Sequence, residues 1–256
     1  VIIRADDRGL TLIGQTEHAR LCGEMARSWG NEHFEPVEPL ERVAWAAAEH
    51  DNGWAEWEEA PRLNPKTRRP YTYSDIPIDQ HQEITRRGIG RAIAHDRYAG
   101  LLVSLHGSLL YRRFRSGQPG AQDFLEEQRG VQRRLMDEMR TDPALRSFCE
   151  EPRLSTNRDL VFGWDTLSLF LCHDAAWMDH LELPADYHGR RVRVAVAPRR
   201  QGWILGPYPF RTTPLVLSAA AFRMERTHFA SKSELCEALD ASTKIGLDFV
   251  IEAAGD

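Results

Sequence analysis

The sequence predicts a mainly α fold, a helical bundle with a small antiparallel β-element formed by the N-terminal and C-terminal segments. Two observations carry this prediction. Between residues 16 and 172, stretch after stretch repeats apolar side chains at i, i+3, i+4 and i+7, the spacing of one helix face. β-type runs, by contrast, gather before residue 14 and after residue 188. At 256 residues and 42% hydrophobic, the chain has enough apolar material for one substantial core.

Each element follows from its residues. Val1-Ile2-Ile3 and Leu10-Thr11-Leu12-Ile13, separated by Asp7-Arg8-Gly9, predict a hairpin. From Thr16, the side chains His18, Leu21, Cys22, Met25, Ala26 and Trp29 share a face, so His18 lies on a buried stripe that Gly30 ends. Pro39 opens a second helix with Val43, Ala47, His50, Asp51 and Trp54 on one side, closed by Asn52-Gly53. Residues 64–77 hold prolines and basic residues and form a loop. Helix resumes at Ile78, with His81, Ile84, Gly88, Ala92 and His95 aligned, and again from Arg97, with Leu102, Val103, His106, Leu109 and Leu110 together. Residues 121–140 are amphipathic scaffold. Residues 158–172 form a helix apolar almost all round that nevertheless contains Asp165. After His188, Val192, Val194 and Val196 alternate with other residues, Trp203-Ile204-Leu205 and Leu215-Val216-Leu217 follow, and a short helix at 233–240 precedes Leu247-Asp248-Phe249-Val250-Ile251. The expected organisation is a single domain over 1–256, with a helical core at 15–187 and a β-rich accessory element from 1–14 and 188–256.

Composition narrows the function. A net charge of -5 and a pI near 6.1 argue against duplex nucleic acid as a partner. Cys22, Cys149, Cys172 and Cys236 form no C-x-x-C pair, which points away from a zinc ribbon or a disulfide scaffold and toward the reducing cytoplasm. The charged residues in 1–14 do not suit a signal peptide, and no run suits a membrane span. Phosphate-loop and dinucleotide glycine fingerprints are lacking, and Leu105-His106-Gly107-Ser108 lacks the preceding strand of a serine-hydrolase elbow.

The chemistry-bearing residues fall on apolar faces. An ionised carboxylate such as Asp165 in so apolar a helix must be paired, neutralised or bound to a cation; an arginine or a helix end would serve as well as a metal. His50-Asp51 repeats the problem on another helix, and His18 adds an inward imidazole. Neutral imidazoles with carboxylates suit a divalent transition metal: Fe, Mn, Zn, Co or Ni, as one ion or two.

The order His18, His50-Asp51 and a distant Asp165, each on a separate helix, resembles the H, HD, D signature of the HD-domain superfamily of metal-dependent phosphohydrolases. The same dipeptide recurs at His95-Asp96 and His173-Asp174, so placement carries the likeness. His81 and His106 lie where dinuclear members insert two further histidines. The resemblance implies an HD-domain-like helical bundle in which His18, His50, Asp51 and Asp165 hold one ion, while Asp51, His81 and His106 hold a second. Asp51 then bridges and is the candidate catalytic residue. More narrowly, Gln15-Thr16-Glu17-His18-Ala19, His50-Asp51-Asn52-Gly53-Trp54, Arg69-Pro70-Tyr71, Leu101 to Gly107 and Asp165 to Leu169 resemble a bacterial family of unknown function over most of the chain.

For substrate, Gln15, Trp54, Lys66, Arg68, Tyr71 and Ser104 are candidate binding residues. Lys66 and Arg68 would neutralise a phosphate and Gln15 or Ser104 would orient water, while Trp54, Trp57, Tyr71 and Tyr73 include possible aromatic walls, with packing expected to claim at least two of these four. The expected activity is metal-dependent hydrolysis of a small phosphorylated molecule or nucleotide. A dinuclear-iron oxygenase on the same scaffold and a non-catalytic metal- or ligand-binding module are the alternatives.

Overall fold

In the computed structural model, which describes residues 1–175, 177–199 and 202–255, the chain opens with an antiparallel hairpin of β1 (Ile2–Asp6) and β2 (Gly9–Ile13). Helix α1 (Gln15–Ser28) follows at once, and the Glu58 carboxylate caps it by accepting from the backbone N–H of Gln15 and the Thr16 hydroxyl. Next come α2 (Leu40–Ala48), a single 3₁₀ turn at Asn52–Trp54 and the short α3 (Ala55–Glu59). A two-residue ladder of β3 (Leu63–Asn64) and β4 (Arg69–Pro70) leads to α4 (Ile78–His95) and α5 (Arg97–Leu110). The His95-Asp96 dipeptide is the joint between them: Asp96 caps α5 by accepting from the N–H of Tyr98 and Ala99 at 2.9 Å, and His95 stacks on Trp45. Helix α5 then widens into a π-helical segment, Tyr111–Arg115. α6 (Ala121–Arg140) and α7 (Arg153–His173) complete the principal helices. The remainder is β5 (His180–Pro184), β6 (Arg191–Arg199), β7 (Gly202–Gly206), β8 (Leu215–Met224), α8 (Lys232–Asp240) and β9 (Thr243–Ala253).

The strands overturn the expectation of a mainly α fold with a small β-element. Seven of them form one curled mixed sheet in the order β1-β2-β8-β9-β7-β6-β5, in which β7 and β9 run parallel and the other neighbours antiparallel. An all-α description therefore fails. Sequence patterning understated the sheet because much of β8 and β9 beyond their apolar runs is Ala, Ser, Gly and charged residues, which carry little β-signal. β5, His-Leu-Glu-Leu-Pro, was expected to belong to the helical core; it is an edge strand, where proline is tolerated.

Nor is the sheet a separate accessory layer in its packing. Ile2, Val194, Leu205, Leu217 and Ile251 lie in the same buried cluster as Leu21, Val43, Leu102 and Leu167 of the helices. Arg4 of β1 locks the two together, donating to the carbonyls of Cys172 (2.7 Å) and Leu171 (2.6 Å) at the C-terminal end of α7, where a cation also complements the helix dipole. Among the described residues no helix is long and apolar enough to cross a membrane. All four cysteines are free.

Candidate metal centre

Three helices and one turn deliver five side chains to one cluster. α1 contributes His18, the turn after α2 contributes His50 and Asp51, α5 contributes His106 and α7 contributes Asp165. His18 Nε2 lies 3.1 Å from Asp51 Oδ2 and 3.8 Å from Asp165 Oδ1. His50 Nε2 is 3.7 Å from Asp51 Oδ2 and 3.6 Å from Asp165 Oδ1, and His106 Nε2 is 3.4 Å from Asp165 Oδ2. The three imidazoles and Asp165 are buried, whereas the Asp51 side chain keeps 19% of its surface open.

The hydrogen bonds behind these rings fix which nitrogen faces inward. His50 Nδ1 sits 2.8 Å from the Ala47 carbonyl, which can only accept, so Nδ1 carries the proton and Nε2 of the neutral ring is a bare lone pair. His18 Nδ1 meets Ser168 Oγ at 2.7 Å, and that hydroxyl already donates to the Asp165 carbonyl at 2.9 Å. Ser168 therefore accepts from His18 Nδ1, and His18 Nε2 is left aimed at two carboxylates. His50 Nε2 and both nitrogens of His106 are buried without any hydrogen-bond partner. Lone pairs and carboxylates converging in a buried space repel one another unless a cation stands among them.

A proton on His50 meets part of this need. Burial drives the His50 ring toward neutrality, but the Asp51 and Asp165 carboxylates outweigh it and hold the ring up at about 9. Burial likewise opposes the charges of Asp51 and Asp165, and the surrounding imidazoles still keep both below the ordinary carboxylate range. His106 goes the other way, pushed down to about 4 by burial that Asp165 only partly offsets. Three imidazole nitrogens and two carboxylates, with no thiolate, form a donor set that fits a divalent first-row ion.

Two ligand groups, His18-His50-Asp51 and His50-His106-Asp165, each bring their donor atoms within 4.8 Å of one another. They share His50, whose Nδ1 is committed to Ala47 and which therefore offers one ligand atom. One nitrogen cannot serve two ions, so the two groups cannot both be filled through His50 at once. His106 stands with Asp165, and His81 enters neither group: its Nδ1 is bonded to the Tyr111 hydroxyl at 2.8 Å, its ring meets Trp54 edge to face, and burial followed by the nearby Arg115 pushes it down to about 3.

Three members of the centre, His50, Asp51 and Asp165, line a cavity of about 750 Å³. Of the expected substrate residues, Gln15 and Trp54 line it, and the buried Gln15 Nε2 has no partner. Tyr73 and His81 line it as well, whereas Trp57 and Tyr71 pack against each other elsewhere. Ser104, Lys66, Arg68 and Tyr71 do not reach it. Ser104 is two residues from His106, about 200° around the helix, and is buried with Gln128 and Gln132 of α6. Lys66 lies in the turn between β3 and β4, and Arg68 spends its Nε on the Phe229 carbonyl at 2.7 Å. Sequence reasoning missed Arg113, Phe114, Arg115 and Trp177 on the cavity wall, and the orienting role of Ser168, which its i+3 relation to Asp165 placed on the same face. Replacing Ser168 with Ala removes the acceptor for His18 Nδ1; metal affinity should fall about 10- to 100-fold by calorimetric titration, with the fold unchanged by circular dichroism.

Residues 1–226 match the family model described as Protein of unknown function (DUF3891). No curated protein and no solved structure matches the chain. The family description names no activity, so it lends no support to a hydrolase, and the match is not to an HD-domain family. Because it spans the N-terminal hairpin, every residue of the centre and most of the sheet, the chain belongs to the DUF3891 family.

Proposed function

We propose that the protein is a metal-dependent hydrolase of small phosphoesters, built around one divalent transition-metal ion held by His18, His50, Asp51, His106 and Asp165. The observation that carries this reading is the convergence of unpartnered buried imidazole nitrogens and two carboxylates beside a cavity with arginines on its wall. An ion in that position supplies a Lewis acid that acidifies water and stabilises charge developing on phosphoryl oxygens.

The protein's own groups do the rest. Asp51, the more open of the two carboxylates, borders both the cluster and the cavity and is the group placed to accept a hydrogen bond from the attacking water. Asp165 and Ser168 hold the imidazoles in place. Gln15, with its free amide N–H₂, orients the water or a phosphoryl oxygen. In the reaction a P–O bond to water forms as the ester P–O bond breaks, and the proton lost by water ends on the departing alcohol. The free cysteines suit the reducing cytoplasm as its location.

The test is to strip the purified protein with chelator, reload it with Mn, Fe, Co, Ni or Zn in turn, and measure bound metal and turnover on nucleotides and simple phosphomonoesters. We expect about one ion per chain, turnover that requires it, and a loss of at least about 100-fold in kcat/KM for Asp51→Ala. A metal-loaded protein with no phosphoesterase turnover, or an air-sensitive iron form that consumes dioxygen instead, overturns the reading.

A further inference from the structure

We propose that the cavity selects phosphoesters with a flat aromatic body, gripped between the guanidinium groups of Arg113 and Arg115 and the exposed ring of Trp177; this rests on the phosphoesterase reading of the site. The first observation is where exposed apolar surface lies. Single exposed apolar side chains, such as Val216 and Phe222 here, are ordinary, whereas several gathered at one cavity mark a ligand-binding surface. Phe114 is 69% exposed, Trp177 48% and Met178 39%, and all three border this cavity, although they come from the π-helical segment after α5 and from the segment between α7 and β5. Trp177 is held from behind by Phe170 at 4.4 Å and meets His173 edge to face at 5.3 Å. One face of its indole is thus anchored while the ring stays open to a ligand.

The second observation is charge. Arg191 also borders the cavity but is paired with Asp159 at 2.7 Å. Arg113 and Arg115 form no ion pair among the described residues. Arg113 lies 4.4 Å over the Phe162 ring, and Arg115 donates to the Tyr73 carbonyl at 2.6 Å. Phe162 in turn lies 6.3 Å from the His106 ring, so the Arg113 cation sits one aromatic ring away from the centre. The wide π-turn explains how Arg113, Phe114 and Arg115, consecutive in sequence, all reach one cavity, which the 100° step of a regular helix disfavours.

The third observation is size. A cavity of about 750 Å³ is far larger than a phosphate group requires and matches a ring-bearing ligand. Planar guanidinium groups and aromatic rings together favour a flat π-system over a flexible polar chain.

The experiment compares 1-naphthyl phosphate with glycerol 2-phosphate, equal in charge and different in body. Calorimetry on the chelated protein reads binding, and kcat/KM on the metal-loaded protein reads turnover. We expect naphthyl phosphate to bind at least about tenfold more tightly, and Trp177→Ala and Arg113→Gln each to remove about tenfold of that affinity. Both side chains are exposed, so neither change should disturb the fold, which circular dichroism checks. Tight binding with no turnover supports the inference and overturns the proposed reaction. Turnover with equal kcat/KM for the two esters, or wild-type binding in both variants, overturns the inference and leaves the reaction standing.

Discussion

Asp165→Asn should abolish metal binding while leaving the fold intact. The substitution is nearly isosteric, so the buried space on α7 stays filled, but it removes the carboxylate that faces all three imidazole Nε2 atoms at 3.4–3.8 Å. Bound metal measured by elemental analysis should fall to background, with affinity lower by more than about 100-fold, beyond the effect of losing an orienting partner. Stability provides an independent readout. A metal present at 100 times its Kd stabilises the wild type by about 2.7 kcal/mol, and that chelator-sensitive gain in Tm should be missing from the variant. The pH dependence follows from His50. Its folded-state pKa is raised, so in the metal-free protein its proton contributes stability fully present below about pH 6.5 and lost as the pH rises through about 9. Ligation needs that nitrogen unprotonated, so metal affinity should climb across the same interval. Metal retained by Asp165→Asn at the wild-type level would remove this residue from the centre.

The second large effect is expected two residues after Asp51. Gly53 lies where the 3₁₀ turn touches α4, and a Cβ added there would sit 2.1 Å from the Ile84 carbonyl oxygen and 2.8 Å from the Gly88 nitrogen. Both obstacles are backbone and cannot rotate away. Gly53→Ala should therefore force the turn off α4 and destabilise the protein by about 3 kcal/mol in urea unfolding. Because His50 and Asp51 precede that turn, metal affinity should fall with it. Gly90→Ala on the same helix is the control: a Cβ there meets nothing within 4 Å, and alanine is the better helix former, so that change should stabilise by up to about 1 kcal/mol. A wild-type unfolding midpoint for Gly53→Ala would show that the close approach of turn and helix is unnecessary.

The centre was more legible than the sheet because the two rest on different signals. His18, His106 and Asp165 lie within helices whose apolar stripes fix the direction of each side chain, so phase alone aims them inward. His50 and Asp51 fall just beyond the end of α2, but the pattern of Val43 and Ala47 carries far enough to place them. The same reasoning should have excluded Ser104, whose two-residue separation from His106 turns it away. Lys66 and Arg68 were nominated by the composition of their loop, and composition says nothing about which way a loop faces. The cavity wall was hidden for a related cause: the π-turn at Tyr111–Arg115 breaks helical phase where Arg113 and Arg115 enter the cavity. The extent of β8 and β9 stayed hidden because pairing with neighbours, rather than strong β-formers, extends them.

The register of the sheet also dictates an order of assembly. Leu10 pairs with Met224 and Ile13 with Ala221, contacts between strands more than two hundred residues apart in the chain. Helix pairs such as α4 and α5, joined through Asp96, close over short loops and incur little chain entropy. Local helical pairs can thus form early, while β2 waits for β8 and the sheet closes late, on the slow timescale of high contact order. Arg4, which ties β1 to the end of α7, becomes the latch between the early and late parts. In pulse-labelled hydrogen exchange, amides of α4 and α5 should gain protection before those of β2 and β8.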